Sequence, residues 1–483
     1  MSITTSPEVP GGSKVRIRMY RQGLGDCFLL TFYGDGGPHH ILIDCGVLSG
    51  TPNGSQKILR VAESIAAETQ GKLQALVATH EHWDHVSGFY DAAEVFDPFD
   101  IGEIWVAWTE DPSNATAQNL KRQNQLKLQA VHLALTQMAR TGDPQFQASG
   151  RAVAALLGFF GGPANGASLI AFSDMTGEAM TKVTQRQPAP TYLKPGQELK
   201  PAWLPGVKVH VLGPPEDPAL LRHMAGKVGK DIYGLTGADD AFNTALEGAA
   251  LAALEKDVDP QSAGRIAAAL PFNPTLQWFD TPDENGKNKI LEDPQFGPLY
   301  KAYMDDKVKW RRIDQDWLLS VARLGLQLDS ATNNTSLVLA FEFTDTREVL
   351  LFAADAQIGN WQSWADKAAD LLQRTVFYKV GHHGSHNATL KEGGLEAMTN
   401  PNLVAAIPVD QNFANNSKHW EMPAAPLYAR LQERTQGRIL RADAAWPGTA
   451  DQPPPGLSAG DWRDFAGMVQ LDPDGLFIDF YIK

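Results

Sequence analysis

Cysteine is almost absent. The 483 residues contain only Cys27 and Cys45, too few for the disulfide framework of a small secreted domain. Both lie in or beside apolar runs, CFLLTFY and ILIDC, which predicts small buried residues rather than a thiolate ligand pair. Long apolar runs are missing too. No segment has the roughly 20 apolar residues needed to cross a bilayer, and the N-terminal MSITTSPEVPGGSKVRIRM carries no apolar signal-type stretch. These absences predict a soluble, cytoplasmic protein without a membrane span. Positive charge is in deficit: 42 Lys and Arg against 56 Asp and Glu leave a formal net charge of -14. Net charge therefore gives no support to nucleic acid as a partner, although a local groove or a bound divalent cation can still hold a phosphate.

What is present is the ordinary mix of a globular protein, with enough chain for a large core. Alternating or continuously apolar stretches predict strands at 14–20, 27–33, 41–45, 73–80 and 101–108, with a helix over 56–70. Residues 117–157 have helical character. A strand is expected at 207–215, stopped by Pro214 and Pro215. Further strands are expected at 336–343, 348–355, 376–384, 403–410, 437–443 and 475–483, with helices at 356–374 and 423–435 between them. Alternation of strands and helices in both parts of the chain argues for a layered α/β architecture.

The densest chemistry is Thr79-His80-Glu81-His82-Trp83-Asp84-His85, which places three of the chain's twelve histidines in seven residues. In an extended segment, residues i and i+2 share a side, so His80 and His82 can aim at one point, with Asp84 and His85 just beyond. Imidazole with carboxylate suits zinc, iron or manganese; an all-oxygen set would suggest magnesium or calcium. A metal site draws ligands from several elements, and further acids or histidines follow apolar strands: Asp44 in ILIDCG, Asp355 in VLLFAADAQ, and His382-His383 in VFYKVGHHGSHN. Glu81 and Trp83 read as orientation and packing residues.

HEHWDH resembles the HxHxDH signature of the metallo-β-lactamase fold, an αββα sandwich with metals at one sheet edge. The segment SLVLAFEF…EVLLFAADAQ…VFYKVGHHGSHNAT, with Asn333-Asn334-Thr335-Ser336 before it, is similar to a particular branch: the hydrolase domain of DNA-uptake channel proteins and related phosphorylcholine esterases. Ala354 stands where that branch usually has glycine. The resemblance covers about 14–110, 205–215 and 330–445. It implies His80 and His82 at one metal position, Asp84, His85 and His383 at the other, a bridging Asp355, and Asp44 supporting the ligand loop from behind. His382 is the alternative to His383. A middle histidine that normally completes the first position is not located: His132 lies in a helical apolar pattern and His210 within the strand VKVHVLG. His419, in NNSKHWEMP, matches a position near the site in the same branch, so Asn415, Asn416 and His419 are expected to meet a phosphate or leaving group.

The expected protein is thus a metallo-β-lactamase-type α/β sandwich. Residues 1–445 form the catalytic domain, with a helical elaboration at 111–204 and an insertion or lid at 216–325, and 446–483 completes the same domain as a loop and strand. The expected activity is a metal-dependent hydrolase with one or two divalent ions, zinc first and manganese or iron as alternatives. Metal-activated hydroxide would attack a phosphodiester in nucleic acid, a nucleotide or a phosphorylcholine-like compound, with Asp84, Asp355 and His419 as catalytic groups. An ester, lactone or amide hydrolase of the same fold is the first alternative. A metal-stabilised binding or assembly protein is the alternative of another class.

Overall fold

Alternation along the strands decides the layers. In β2 (Phe28–Gly34), Phe28, Leu30 and Phe32 face one apolar core and Leu29 another; in β3 (Gly37–Ile43), Ile41 and Ile43 oppose Leu42 in the same way. β4 (Lys72–Ala78) repeats the pattern, with Ala75 and Val77 on one side and Leu76 and Ala78 on the other. A sheet apolar on both faces needs a layer on each side. One face meets a second sheet, and the other is covered by the helix Gly54–Thr69 through Ile58, Val61, Ala62 and Ile65.

The computed structural model describes residues 9–34, 36–141, 144–162, 175–223, 293–303, 305, 321–444 and 453–483. Most of the expected insertion at 216–325 lies outside the described residues. The remaining strands are β1 (Val15–Tyr20), β5 (Asp100–Ala107), β6 (Thr191–Leu193), β7 (Glu198–Leu199), β8 (Val207–Gly213), β9 (Val338–Phe343), β10 (Val349–Phe352), β11 (Thr375–Lys379), β12 (Val404–Ile407), β13 (Ile439–Arg441), β14 (Val469–Leu471) and β15 (Phe477–Ile482). They form a first sheet of order β14-β15-β1-β2-β3-β4-β5-β6 and a second of order β13-β12-β11-β10-β9-β8-β7. The sheets meet through Phe28 on Phe352 and Phe32 on Phe341, with ring centroids 5.6 and 6.1 Å apart.

This is the α/β sandwich of the metallo-β-lactamase type, with mixed sheets. The chain divides into two compact units: Met1–Asn119, Leu157–Thr236 and Asp329–Lys483 form one, and Leu120–Leu156 with Gly237–Leu328 the other. The described part of the second unit is helical, built from most of Ala115–Thr141 and Val321–Asn333 together with Pro144–Leu156 and Phe296–Tyr303. His132 is buried in that unit. Among the described residues no helix is long and apolar enough to cross a membrane.

Three details differ from the sequence expectations. The motif does not continue as an extended segment: His82 is still extended, but a helix begins at Trp83 and runs to Asp91. The expected helix at 356–374 divides into Ile358–Trp364 and Ala369–Gln373. The short strands β6 and β14 extend the first sheet at its two ends, where three residues give too little pattern to read.

Candidate metal centre

Strand ends deliver the chemistry. β4 leads into Thr79 and the histidine motif, β10 into Asp355, and β11 into His382 and His383, all at one edge of the sandwich. Backbone shape is specialised where they meet. Asp44, Ala354, His382 and His383 all have left-handed backbone, with φ of 54, 47, 41 and 53°, a conformation uncommon for residues with a Cβ and concentrated at functional sites. Ala354 thus keeps the geometry for which glycine is the unstrained choice. The loops pack backbone to backbone: a Cβ on Gly46 would lie 2.2 Å from the Asp84 carbonyl carbon, so no side chain fits there.

Asp44 is fully buried and holds three groups at once. Its carboxylate accepts from the Thr79 amide (2.8 Å) and hydroxyl (2.7 Å), and its Oδ2 lies 2.8 Å from His85 Nδ1. The motif is thereby fastened from behind. On the open side, His85 Nε2 lies 3.1 Å from Asp355 Oδ2 and 3.7 Å from Asp84 Oδ2. His383 Nε2 is 2.8 Å from Asp84 Oδ2 and 3.7 Å from Asp355 Oδ2, while its Nδ1 lies 2.7 Å from the Pro408 carbonyl.

Asp26, His85, Asp355 and His383 are all buried and offer ligand atoms lying within 4.8 Å of one another, a cluster suited to a divalent ion. Asp26 escaped the sequence reading. It sits in the RQGLGD turn before β2, whereas the search for ligands followed strand ends. Its amide donates to the Asp84 carbonyl at 2.9 Å, which fixes the turn against the motif. Lys379, also buried, donates to Asp26, to Asp355 Oδ1 at 3.1 Å and to the Ala354 carbonyl at 2.7 Å.

His80 and His82 form a different half. His80 Nε2 and His82 Nδ1 lie 3.1 Å apart. The His82 ring rests against Phe159 and Phe160 at 5.4 and 4.9 Å between centroids. Phe159 also contacts the His382 ring at 5.7 Å and stacks on Trp420 at 4.9 Å. His382 is buried as well, with Nδ1 3.3 Å from Gln357 Nε2.

Burial and neighbouring charge separate the halves electrostatically. Burial, helped by the neighbouring rings, holds His80 well below the ordinary histidine value; burial likewise takes His82 down to about 3 and His382 to about 4. These rings are neutral at pH 7 and present lone pairs. Burial opposes charge on His85 and His383 too, but surrounding carboxylates, Asp355 foremost, outweigh it and raise both. Burial works against ionised Asp355, yet His85, Lys379 and His383 hold it well below the carboxylate range. Burial raises Asp26 despite Lys379.

The residues fit a metal on an observation independent of resemblance. His82 Nε2, Asp84 Oδ1 and His382 Nε2 are buried atoms with no hydrogen-bond partner, a costly state unless an ion satisfies them. The donor set of imidazoles and carboxylates is that of zinc, iron or manganese. Other expected residues lie elsewhere. His210 is half-buried on β8, its Nε2 2.8 Å from Glu342 Oε2. His419 is exposed, as is Asn416, and Asn415 is half-buried. From the same loop Lys418 turns inward to donate to the Ser49 carbonyl at 3.2 Å, and burial lowers its amine to about 8.

A family model described as the metallo-beta-lactamase superfamily matches residues 20–103, the segment that carries Asp26, Asp44 and the whole histidine motif. No curated protein matches the chain. The match covers only that segment; with the sandwich fold and the buried cluster it marks a likeness to the metallo-β-lactamase superfamily at a site suited to a divalent ion.

Proposed function

We propose that the protein is a metal-dependent phosphodiesterase with two divalent ions, zinc first, divided between His80–His82 and Asp84–His85–His383. The observation that supports this reading is Asp355: its Oδ2 faces His85 Nε2 at 3.1 Å and His383 Nε2 at 3.7 Å, while its Oδ1 is held by Lys379 and by the His382 amide at 3.0 Å. The protein thus holds one oxygen of Asp355 and turns the other toward the histidines, where it would help hold divalent ions. Divalent ions, when bound, lower the pKa of water and offset charge on a phosphoryl oxygen, and a pair of them suits displacement at a phosphodiester.

The chain's own groups supply the rest. Asp44 and the Pro408 carbonyl orient His85 and His383, which fixes the nitrogen each presents. Lys379 offsets the charge of Asp26 and Asp355, and together with His85 and His383 it favours the ionised form of buried Asp355. Phe159 and Phe160 exclude water from the His82 side. His419 and Asn416 are exposed on their loop, and in this reading they are the groups that would meet a phosphate or leaving group from solvent.

The test is hydrolysis of bis-p-nitrophenyl phosphate and p-nitrophenyl esters by zinc-loaded and chelator-stripped protein. Metal-dependent turnover of the diester is expected. Turnover of esters alone would replace the phosphodiesterase reading with that of an ester hydrolase. Turnover of neither, together with Asp84→Ala altering only the binding of a partner, would leave a binding protein.

A further inference from the structure

Each histidine of the centre has one nitrogen toward the cluster and another away from it, and the partners of the outer nitrogens form a series. His80 Nδ1 lies 3.1 Å from the Thr79 hydroxyl, His85 Nδ1 2.8 Å from Asp44, and His383 Nδ1 2.7 Å from the Pro408 carbonyl. His82 breaks the series. Its Nδ1 faces His80, and its Nε2 is buried without a hydrogen-bond partner.

The atom opposite is Asp329 Oδ1, 4.0 Å away and likewise buried without a hydrogen-bond partner. Two orphaned polar atoms facing one another in a sealed interior are each costly alone and complementary together. At 4.0 Å they are too far apart for a hydrogen bond, and a shift of about 1 Å would make one. Asp329 is itself held: its Oδ2 accepts from Asn333 Nδ2 at 3.2 Å, one turn along the same helix. That contact gives a physical task to the first asparagine of the NNTS segment.

We infer that Asp329 is the positioning carboxylate for His82: it accepts the Nε2 proton and so fixes the Nδ1 lone pair on the point that His80 Nε2 also faces. The inference rests on the metal-centre reading above and assigns a residue to its less furnished half. Asp329 and Asp44 then play matching parts from opposite sides, one behind His82 and the other behind His85. A carboxylate behind a ligating imidazole fixes its tautomer and increases its basicity, and losing such a partner typically weakens metal binding by about 10- to 100-fold.

The test measures zinc stoichiometry and affinity, by competition with a chromophoric chelator, for the full-length native chain, Asp329→Leu and Asp329→Asn. The native protein is expected to hold two ions. Asp329→Leu should weaken one by about 10- to 100-fold and leave the other unchanged, and Asp329→Asn, whose amide oxygen can still accept, should lose less. Native affinity for both ions in Asp329→Leu overturns the inference. A metal-edge diffraction map of the native protein decides independently of whether the variants fold. Asp329 within hydrogen-bond distance of His82 Nε2 and away from any ion supports the inference, and an Asp329 oxygen on the ion overturns it in favour of a direct ligand. A native protein with one ion, held by Asp84, His85, Asp355 and His383, overturns the inference while leaving metal-dependent hydrolysis standing. A native protein that binds no divalent ion overturns both.

Discussion

The two halves of one short motif occupy unlike surroundings. His80 and His82 sit among rings and aromatic walls, neutral and paired with each other. Two residues further on, Asp84 and His85 sit among buried charges: Asp26, Asp44, Asp355, His383 and Lys379. Burial is complete in both. What differs is compensation: one half keeps its rings neutral, with Asp329 beside His82, and the other balances several charges against one another. Neutral rings need only a fixed orientation to be ligands. Carboxylates packed together need cations, and Lys379 supplies one that is always present.

The largest effect is expected where the charge balance is broken outright. Asp355→Ala removes the group shared by His85, His383 and Lys379, and hydrolysis of the diester should fall by at least about a thousandfold, equivalent to about 4 kcal/mol of barrier. Retained turnover at a tenth of native or better would show that Asp355 is not shared between the halves. Next comes Lys379→Met, which leaves Asp26 and Asp355 buried without their cation. Loss of one partner from such a pair typically costs about 3–5 kcal/mol. The metal-free variant should unfold at markedly lower denaturant than native, with zinc restoring much of the difference. Equal midpoints for the metal-free proteins would contradict the compensation drawn above.

The claim that burial alone keeps a ring neutral can be checked away from any ligand. His40, its Nδ1 3.1 Å from the Thr31 hydroxyl, is lowered to about 4, chiefly by burial. Its folded pKa lies below its unfolded value, so its contribution is complete above about pH 6.5 and is lost as pH falls toward 4. The loss amounts to about 3 kcal/mol. His40→Gln should flatten the acid side of the stability curve over that window, measured by urea unfolding, and identical slopes would reject the assignment. The smallest effect belongs to His419→Ala. As an exposed group it should leave metal content and stability unchanged and alter diester hydrolysis by less than about tenfold, less than 1.4 kcal/mol. A loss as large as that of Asp355→Ala would draw the loop into the centre itself.

Much of this was legible from residue order. HEHWDH, ILID, FAAD and VGHHG each place a ligand-type residue after an apolar run, and the strand pattern predicts a shared edge. Asp26 was missed because it precedes its strand, where an acidic residue in a glycine turn looks like ordinary turn chemistry. Asp329 was missed for a related reason: within VARLGLQLDSATN it is one polar position on a helix, and nothing local marks it as buried. The choice between His382 and His383 was not legible at all. Consecutive left-handed residues bury both rings, a backbone shape that the sequence pattern does not encode. The resemblance placed glycine ahead of Asp355, and the positive φ of Ala354 supplies the reason.

The pairing of β15 with β1 has a consequence for how the chain is made. β1 lies between β2 and β15, with Arg18 bound through both guanidinium contacts to buried Asp479. During synthesis this strand must wait, one edge open and Arg18 without its Asp479 partner, until residues near 480 emerge. At about 5–20 residues per second that interval is tens of seconds to over a minute. Closure over so great a separation also makes for slow folding. The nascent protein should therefore lean on chaperones in that window, although the metal motif at residues 79–85 emerges long before.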